Sequence, residues 1–169
     1  GRDLTQRPRG VYVIDFALMS EVEARQFPLA FQIVHDRVKP ERDSNRREVR
    51  RKYWWRFGEP NPGLRDLVSE LERFIVTPET ARHRCFQFMP TETAPDNALI
   101  CMGTAKAWHL GVLSSTIHEA WALAAGGRMG VGNDPRYNKS RCFDPFPSPV
   151  PAPDLRDRIG APAEKLDQH

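Results

Sequence analysis

The sequence predicts an α+β domain: N-terminal helices followed by a small twisted antiparallel sheet, with a helix and a long structured loop. Three observations predict it. Apolar residues at helical spacing, punctuated by a capping box and N-cap residues, run through the first seventy positions. Alternating and continuous apolar runs follow from residue 84. A polar stretch without periodicity then occupies residues 126–149.

Residues 11–16 (VYVIDF) read as a β-type run. A single strand is not stable alone, so its partners are expected upstream, in a longer polypeptide. Ser20-x-x-Glu23 is a capping box that starts a helix. Pro28 interrupts this helix, and Phe31, Val34 and Val38 carry its apolar face until Pro40 ends it. Asp43 or Ser44 is expected to cap a helix reaching about Arg56. On it Val49, Tyr53 and Phe57 share one face, Arg47, Arg50, Arg51 and Trp54 point elsewhere, and Trp54 and Trp55 read as core anchors. Asn61 caps a further helix with Pro62 at its first position and Leu64, Leu67, Val68 and Leu71 on one stripe.

Strands are expected at residues 84–89, 98–102 and 107–113, with loops at 90–97 and 103–106. Ser114 or Ser115 then caps a helix over 115–125, with Thr116-x-x-Glu119 as its box and Ile117, Ala120, Trp121 and Ala124 as its buried stripe. Gly126 and Gly127 stop it, a place where glycine adopts the left-handed cap. The polar loop that follows ends in Phe143, Pro145, Phe146 and Pro147, a rigid apolar anchor. A loop this long, pinned at both ends, reads as functional.

Composition narrows the function classes. The chain has 169 residues and a formal charge of +3, and the distribution of that charge matters more than its sum. Between residues 37 and 56 nine Lys/Arg stand against three acids. Closely spaced guanidiniums neutralise a nucleic-acid backbone, although a solvated helix face has the same composition. Cys85, Cys101 and Cys142 are far apart with no CxxC, and read as reduced thiols of a cytoplasmic protein. No signal peptide or membrane-spanning run is present in these residues. The five histidines lack metal-ligand spacing, and Ser114, Ser115 and His118 lie together without an orienting acid.

Two glycine- and proline-based motifs mislead. Residues 127–132 could be forced into a nucleotide fingerprint, but a helix precedes them where a strand is needed. Asn133-Asp134-Pro135-Arg136-Tyr137 and Asp144-Pro145-Phe146 each lack the second proline of an amino-methyltransferase motif. The residues alone support a non-catalytic binding module.

Four blocks then occur in a fixed order: Lys39-Pro40-Glu41-Arg42; Tyr53-Trp54-Trp55-Arg56-Phe57-Gly58; Leu110-Gly111-Val112-Leu113-Ser114-Ser115-x-x-His118-x-x-Trp121; and Arg136-Tyr137-Asn138-Lys139-Ser140-Arg141-Cys142-Phe143-Asp144-Pro145-Phe146-Pro147. Together they resemble the C-terminal part of type IIL, MmeI-like restriction-modification enzymes and related bacterial DNA adenine methyltransferases, over about residues 11–149. The resemblance implies that residues 1–57 are the end of a methyltransferase domain and a helical connector. It implies a target recognition domain over 58–149 and a flexible tail over 150–169. The partners it implies are double-stranded DNA and an upstream methyltransferase domain of the same polypeptide, with any endonuclease domain also upstream. S-adenosylmethionine is then expected for the longer polypeptide and no cofactor for this chain.

Under that resemblance a major-groove reader needs Arg or Lys for guanine and Asn or Gln for adenine. The loop supplies Arg128, Asn133, Arg136, Asn138, Lys139 and Arg141 as candidates for base readout. Candidates for phosphate contact are Arg46, Arg47, Arg50, Arg51, Lys52, Ser115 and His118. Two competing readings are a protein-docking scaffold, using the Trp/Phe/Pro segments, and an RNA binder stacking bases on Phe86 and Phe88.

Overall fold

The computed structural model of the chain describes residue 4, residues 10–129 and residues 134–167, and it divides into two compact units, residues 10–66 and the residues from 67 onward. Among the described residues no helix is long and apolar enough to cross a membrane. The architecture is the expected mixture of helices and a small antiparallel sheet.

In residues 10–66 the expected first strand does not form, and residues 11–16 belong to no sheet. A strand needs a ladder partner, and a local turn takes over instead. The Asp15 carboxylate accepts the Ala17 N–H at 2.8 Å, and Phe16 O accepts the Met19 N–H at 2.9 Å. That bend drives Phe16 inward and leaves Val11, Tyr12 and Val13 exposed. Helix α1 (Glu21–Ala24) starts at the predicted capping box, with both reciprocal bonds between Ser20 and Glu23 present. Helix α2 (Pro28–Arg37) begins on Pro28, whose missing N–H is not needed in a first turn.

Pro40 does not end the helical path. It opens a new short helix, α3 (Lys39–Asp43), for the same reason. The single helix expected from Asp43 or Ser44 to Arg56 is replaced by a break and a second short helix, α4 (Glu48–Lys52). Ser44 closes α3 instead of opening α4, donating to Glu41 O at 2.9 Å, and the Asn45 side chain accepts the Arg47 N–H at 3.0 Å. Such Asx and Ser bonds offer the backbone an alternative to helix. Trp54 and Trp55 are buried beside Phe16, Ala24, Phe31 and Val34, as expected of core anchors. Trp55 Nε1 and Arg56 Nε both donate to Met19 O, at 2.9 and 2.8 Å. Val49 and Phe57, expected on the apolar face, stay exposed. In helix α5 (Pro62–Val68) Val68 alone of the expected stripe is fully buried.

The second unit is organised by β1 (Arg73–Pro78), which was not among the expected strands. β2 (Gln87–Pro90) and β3 (Leu99–Met102) flank it, both antiparallel, in the order β2-β1-β3. Ile75 stands opposite Phe88 on one side and Met102 on the other. A central strand buried on both faces shows no alternation, so its period-two signal is lost. The third expected strand is a helix, α6 (Ala107–Leu113), which buries Leu110 and Leu113 three residues apart. A seven-residue apolar run cannot be assigned by periodicity alone.

The C-terminal residues correct a further expectation. In place of a flexible tail at 150–169, α8 (Pro153–Asp167) packs along α6, with α7 (Thr116–Ala125) lying between them in sequence. The crossing is close because Gly111 and Gly160 carry no side chain. A Cβ on Gly111 would stand 2.6 Å from Ile159 Cγ2, and one on Gly160 would touch Ala107. Ala163 enters the main core. Glu164 pairs with Arg73, and Asp167 accepts the Phe88 N–H at 2.7 Å, which closes the outer edge of β2.

Candidate nucleic-acid interface

Helix α7 starts where Ser115 caps it: Ser115 Oγ accepts the His118 N–H at 3.2 Å and donates to Val112 O at 2.7 Å. The N-cap is therefore Ser115, and the box expected from Thr116 to Glu119 is out of register by one. The buried stripe is shifted the same way. Ile117, Ala120 and Ala124 face outward, while His118 and Ala122 are buried and Trp121 is half-buried. Trp121 Nε1 donates to Cys142 O at 3.1 Å, which selects that face.

Gly126 ends α7, but not by a left-handed cap; its φ is −71° and its ψ 168°. Space is what requires glycine here. A Cβ would stand 2.5 Å from Arg136 O and 2.6 Å from Ala122 O. That close approach lets β4 (Gly127–Met129) and β5 (Asp134–Arg136) form an antiparallel ribbon within the stretch expected to be a loop. The ribbon is joined to the end of β1. Tyr137 N–H donates to Glu79 O at 2.7 Å, Thr80 bridges Arg136, and Ala81 N–H donates to Pro135 O at 3.4 Å. After Tyr137 the chain makes a π-helical turn (Lys139–Phe143) with Cys142 fully buried beneath it. A single π turn of this kind often marks a functional site.

The core under the ribbon is polar at its centre. His118 is fully buried, with Nδ1 2.8 Å from Leu113 O and Nε2 3.1 Å from the Tyr137 hydroxyl. A carbonyl only accepts, so Nδ1 carries the proton and the tyrosine donates to Nε2. Burial holds the imidazole below its ordinary pKa, with the Leu113 carbonyl acting the other way and the Arg84 guanidinium reinforcing the fall. Burial likewise raises the Tyr137 hydroxyl above its usual range. Both groups are neutral at physiological pH. His118 rings also with Phe86 and Phe146, whose centroids lie 5.4 and 4.6 Å away.

The candidate phosphate contacts Ser115 and His118 are thereby corrected. The hydroxyl of the first is occupied at both ends by the helix cap, and the second has no accessible surface. Among the base-readout candidates, Arg136 directs Nε and Nη2 to Glu79 Oε1, at 2.8 and 2.5 Å. That edge of its guanidinium ties the ribbon to Glu79, while the side chain stays 41% exposed. Lys139 pairs with Asp144 at 3.0 Å but remains 72% exposed, so the pair is weak and easily exchanged for a ligand. Asn138 is half-buried and opens the π turn, its carbonyl accepting from Arg141 and Cys142. Arg128 and Arg141 are exposed, and Asn133 lies outside the described residues.

Arg84 was not singled out by the sequence, yet it is the hub of this region. It donates to Thr77 Oγ1 at 3.1 Å, to Pro78 O and to Pro135 O at 3.2 Å, and lies over the Tyr137 ring at 5.2 Å. One guanidinium thus ties β1 to β5, and burial lowers its pKa from the ordinary value. Its sequence signal, one arginine inside an alternating apolar run, is faint. The sheet offers no stacking platform: Phe86 is buried and Phe88 lies under Arg73, whose guanidinium is 3.7 Å from the ring centre.

In residues 10–66 the basic strip is displayed as expected. Arg46, Arg47, Arg51 and Lys52 are exposed, and Arg50 is half-buried against Gly58. The nearest acid, Glu59, is 3.8 Å from Arg47 and 3.9 Å from Arg50, at the outer limit of an ion pair. Arg51 donates to Asn45 O at 2.5 Å. Among the described residues, Cys85, Cys101 and Cys142 are free thiols, and no group of His, Cys, Asp and Glu could hold a metal. Burial raises the Cys101 thiol to about 11, which keeps it protonated and unreactive.

Comparison with known proteins adds two findings. A family model described as the target recognition domain of MmeI matches residues 22–150. A solved structure of the type IIL restriction-modification enzyme MmeI in complex with DNA aligns with a TM-score of 0.66 at 20% identity, over 91% of this chain and 20% of that one. The chain therefore spans about a fifth of that protein's length. Curated proteins give no match.

Proposed function

Because the chain belongs to the family of the MmeI target recognition domain, we propose that it reads the sequence of double-stranded DNA on behalf of a larger restriction-modification polypeptide. The observation that carries this reading is the family match over residues 22–150. Two features of the surface support it: the basic strip of residues 46–52, and the polar ribbon held rigidly over a buried core. Rigid elements carrying exposed Arg and Lys are what groove readout of guanine requires. In this proposal the longer polypeptide also carries a methyltransferase domain that uses S-adenosylmethionine to methylate an adenine amine. This chain supplies neither the cofactor site nor the catalytic group.

The strip and the ribbon have separate roles in this reading. The strip contacts phosphates and is indifferent to sequence, while the ribbon reads bases. Replacing Arg46 and Arg47 by alanine should weaken binding equally on all duplexes. It should also lower the slope of log K against log salt by roughly one for each lost contact. The check is a titration of labelled duplex at several salt concentrations. An unchanged slope assigns these arginines to solvation.

A further inference from the structure

Residues 79–84 are held against the ribbon without taking part in any element described so far. Their backbone continues the pairing: Glu79 O accepts from Tyr137, Thr80 bridges Arg136, and Ala81 N–H reaches Pro135 O. Thr80 Oγ1 also lies 3.4 Å from Met129 Sδ on β4. Arg84 closes the segment from the other end, bonded to Thr77, Pro78 and Pro135. Between these two anchors stand Arg82 and His83, both exposed. Neither side chain makes a hydrogen bond or ion pair among the described residues.

This contrasts with two of the residues that the sequence nominates, Arg136 and Lys139. Arg136 turns Nε and Nη2 to Glu79, and Lys139 meets Asp144 in an exposed, weak pair. A side chain that reads a base must bring unspent donors on a backbone fixed in register, because bidentate contact with guanine O6 and N7 leaves no slack. Arg82 meets both conditions, and His83 offers a single donor or acceptor beside it.

On the reading that this chain recognises DNA, we propose that residues 79–84 form a second reading loop beside β4 and β5, in which Arg82 contacts a guanine and His83 its neighbour. Arg136 is then a positioning residue, which holds the ribbon to this loop through Glu79.

The test selects duplexes from a randomised pool with the 169-residue chain and with its Arg82→Ala, Arg82→Gln and His83→Ala variants. Thermal melts of the variants should match the parent, since neither side chain has a structural partner among the described residues. The expected result is that Arg82→Ala loses guanine preference at one position by roughly 5- to 150-fold, leaving the other positions unchanged. Arg82→Gln should move that preference toward adenine. Variants that select the parental motif unchanged would overturn the proposal. So would a uniform loss on all sequences with a shallower salt slope, which marks a phosphate contact. If the parent selects no motif, DNA reading itself fails, a result distinct from a motif that ignores Arg82.

Discussion

A chain ended after Val150 loses the cooperative unfolding of its sheet-bearing unit. The family match stops at residue 150, yet α8 lies beyond it and completes the core. Truncation uncovers the α6 face at Ala107 and Gly111, removes Ala163 from the core and frees Arg73 from Glu164. It also strips the Phe88 N–H of its Asp167 partner, opening the β2 edge. A domain holds only about 5–15 kcal/mol in reserve, and losing one wall of the core draws on most of it. A thermal melt followed by near-ultraviolet circular dichroism should show a broad transition or none. Gly111→Val is the graded form: a side chain driven into Ile159 should cost about 1–3 kcal/mol by overpacking. A truncated chain with the parental melting curve would show that α8 is dispensable.

His118→Leu is expected to destabilise the same unit strongly, and more at neutral than at acid pH. The substitution leaves Leu113 O and the Tyr137 hydroxyl buried without partners, at about 1–3 kcal/mol each. The pH dependence follows from the direction of the shift. The buried imidazole has a lowered pKa, so the unfolded chain takes up the proton first, from about pH 6.5 downward. The parent's stability is complete above that pH and falls below it. His109 is lowered for the same reason, burial, so the variant retains part of the acid loss. The gap between parent and variant should therefore be widest above about pH 6.5 and narrow on acidification. Denaturant midpoints at pH 7.5 and 5 measure it, and a gap independent of pH would contradict the buried neutral imidazole.

Local signals were legible where one residue decides the outcome. The Ser20–Glu23 box, the N-terminal proline of α5 and the two tryptophan anchors needed no tertiary information, whereas Pro28, read as an interruption, opens α2. The centre of the sheet was not legible, because Arg73–Pro78 is buried on both faces and shows no period. Residues 107–113 were misread because Gly111, ordinarily a poor helix former, is there to admit α8. The α7 stripe slipped by one because a buried polar residue, His118, holds the core position that Ile117 was expected to fill. The same applies to the site. Its charged composition could be read, but that Arg136 turns two of its donors to Glu79 depends on a distant partner that no spacing announces.

The most direct measurement of the central proposal is the selection of duplexes from a randomised pool by the unaltered chain, repeated at rising salt. The proposal predicts enrichment of one short motif, with affinity falling steeply and linearly on a log–log salt plot. A pool that emerges without a motif, or binding that salt leaves unchanged, would contradict it.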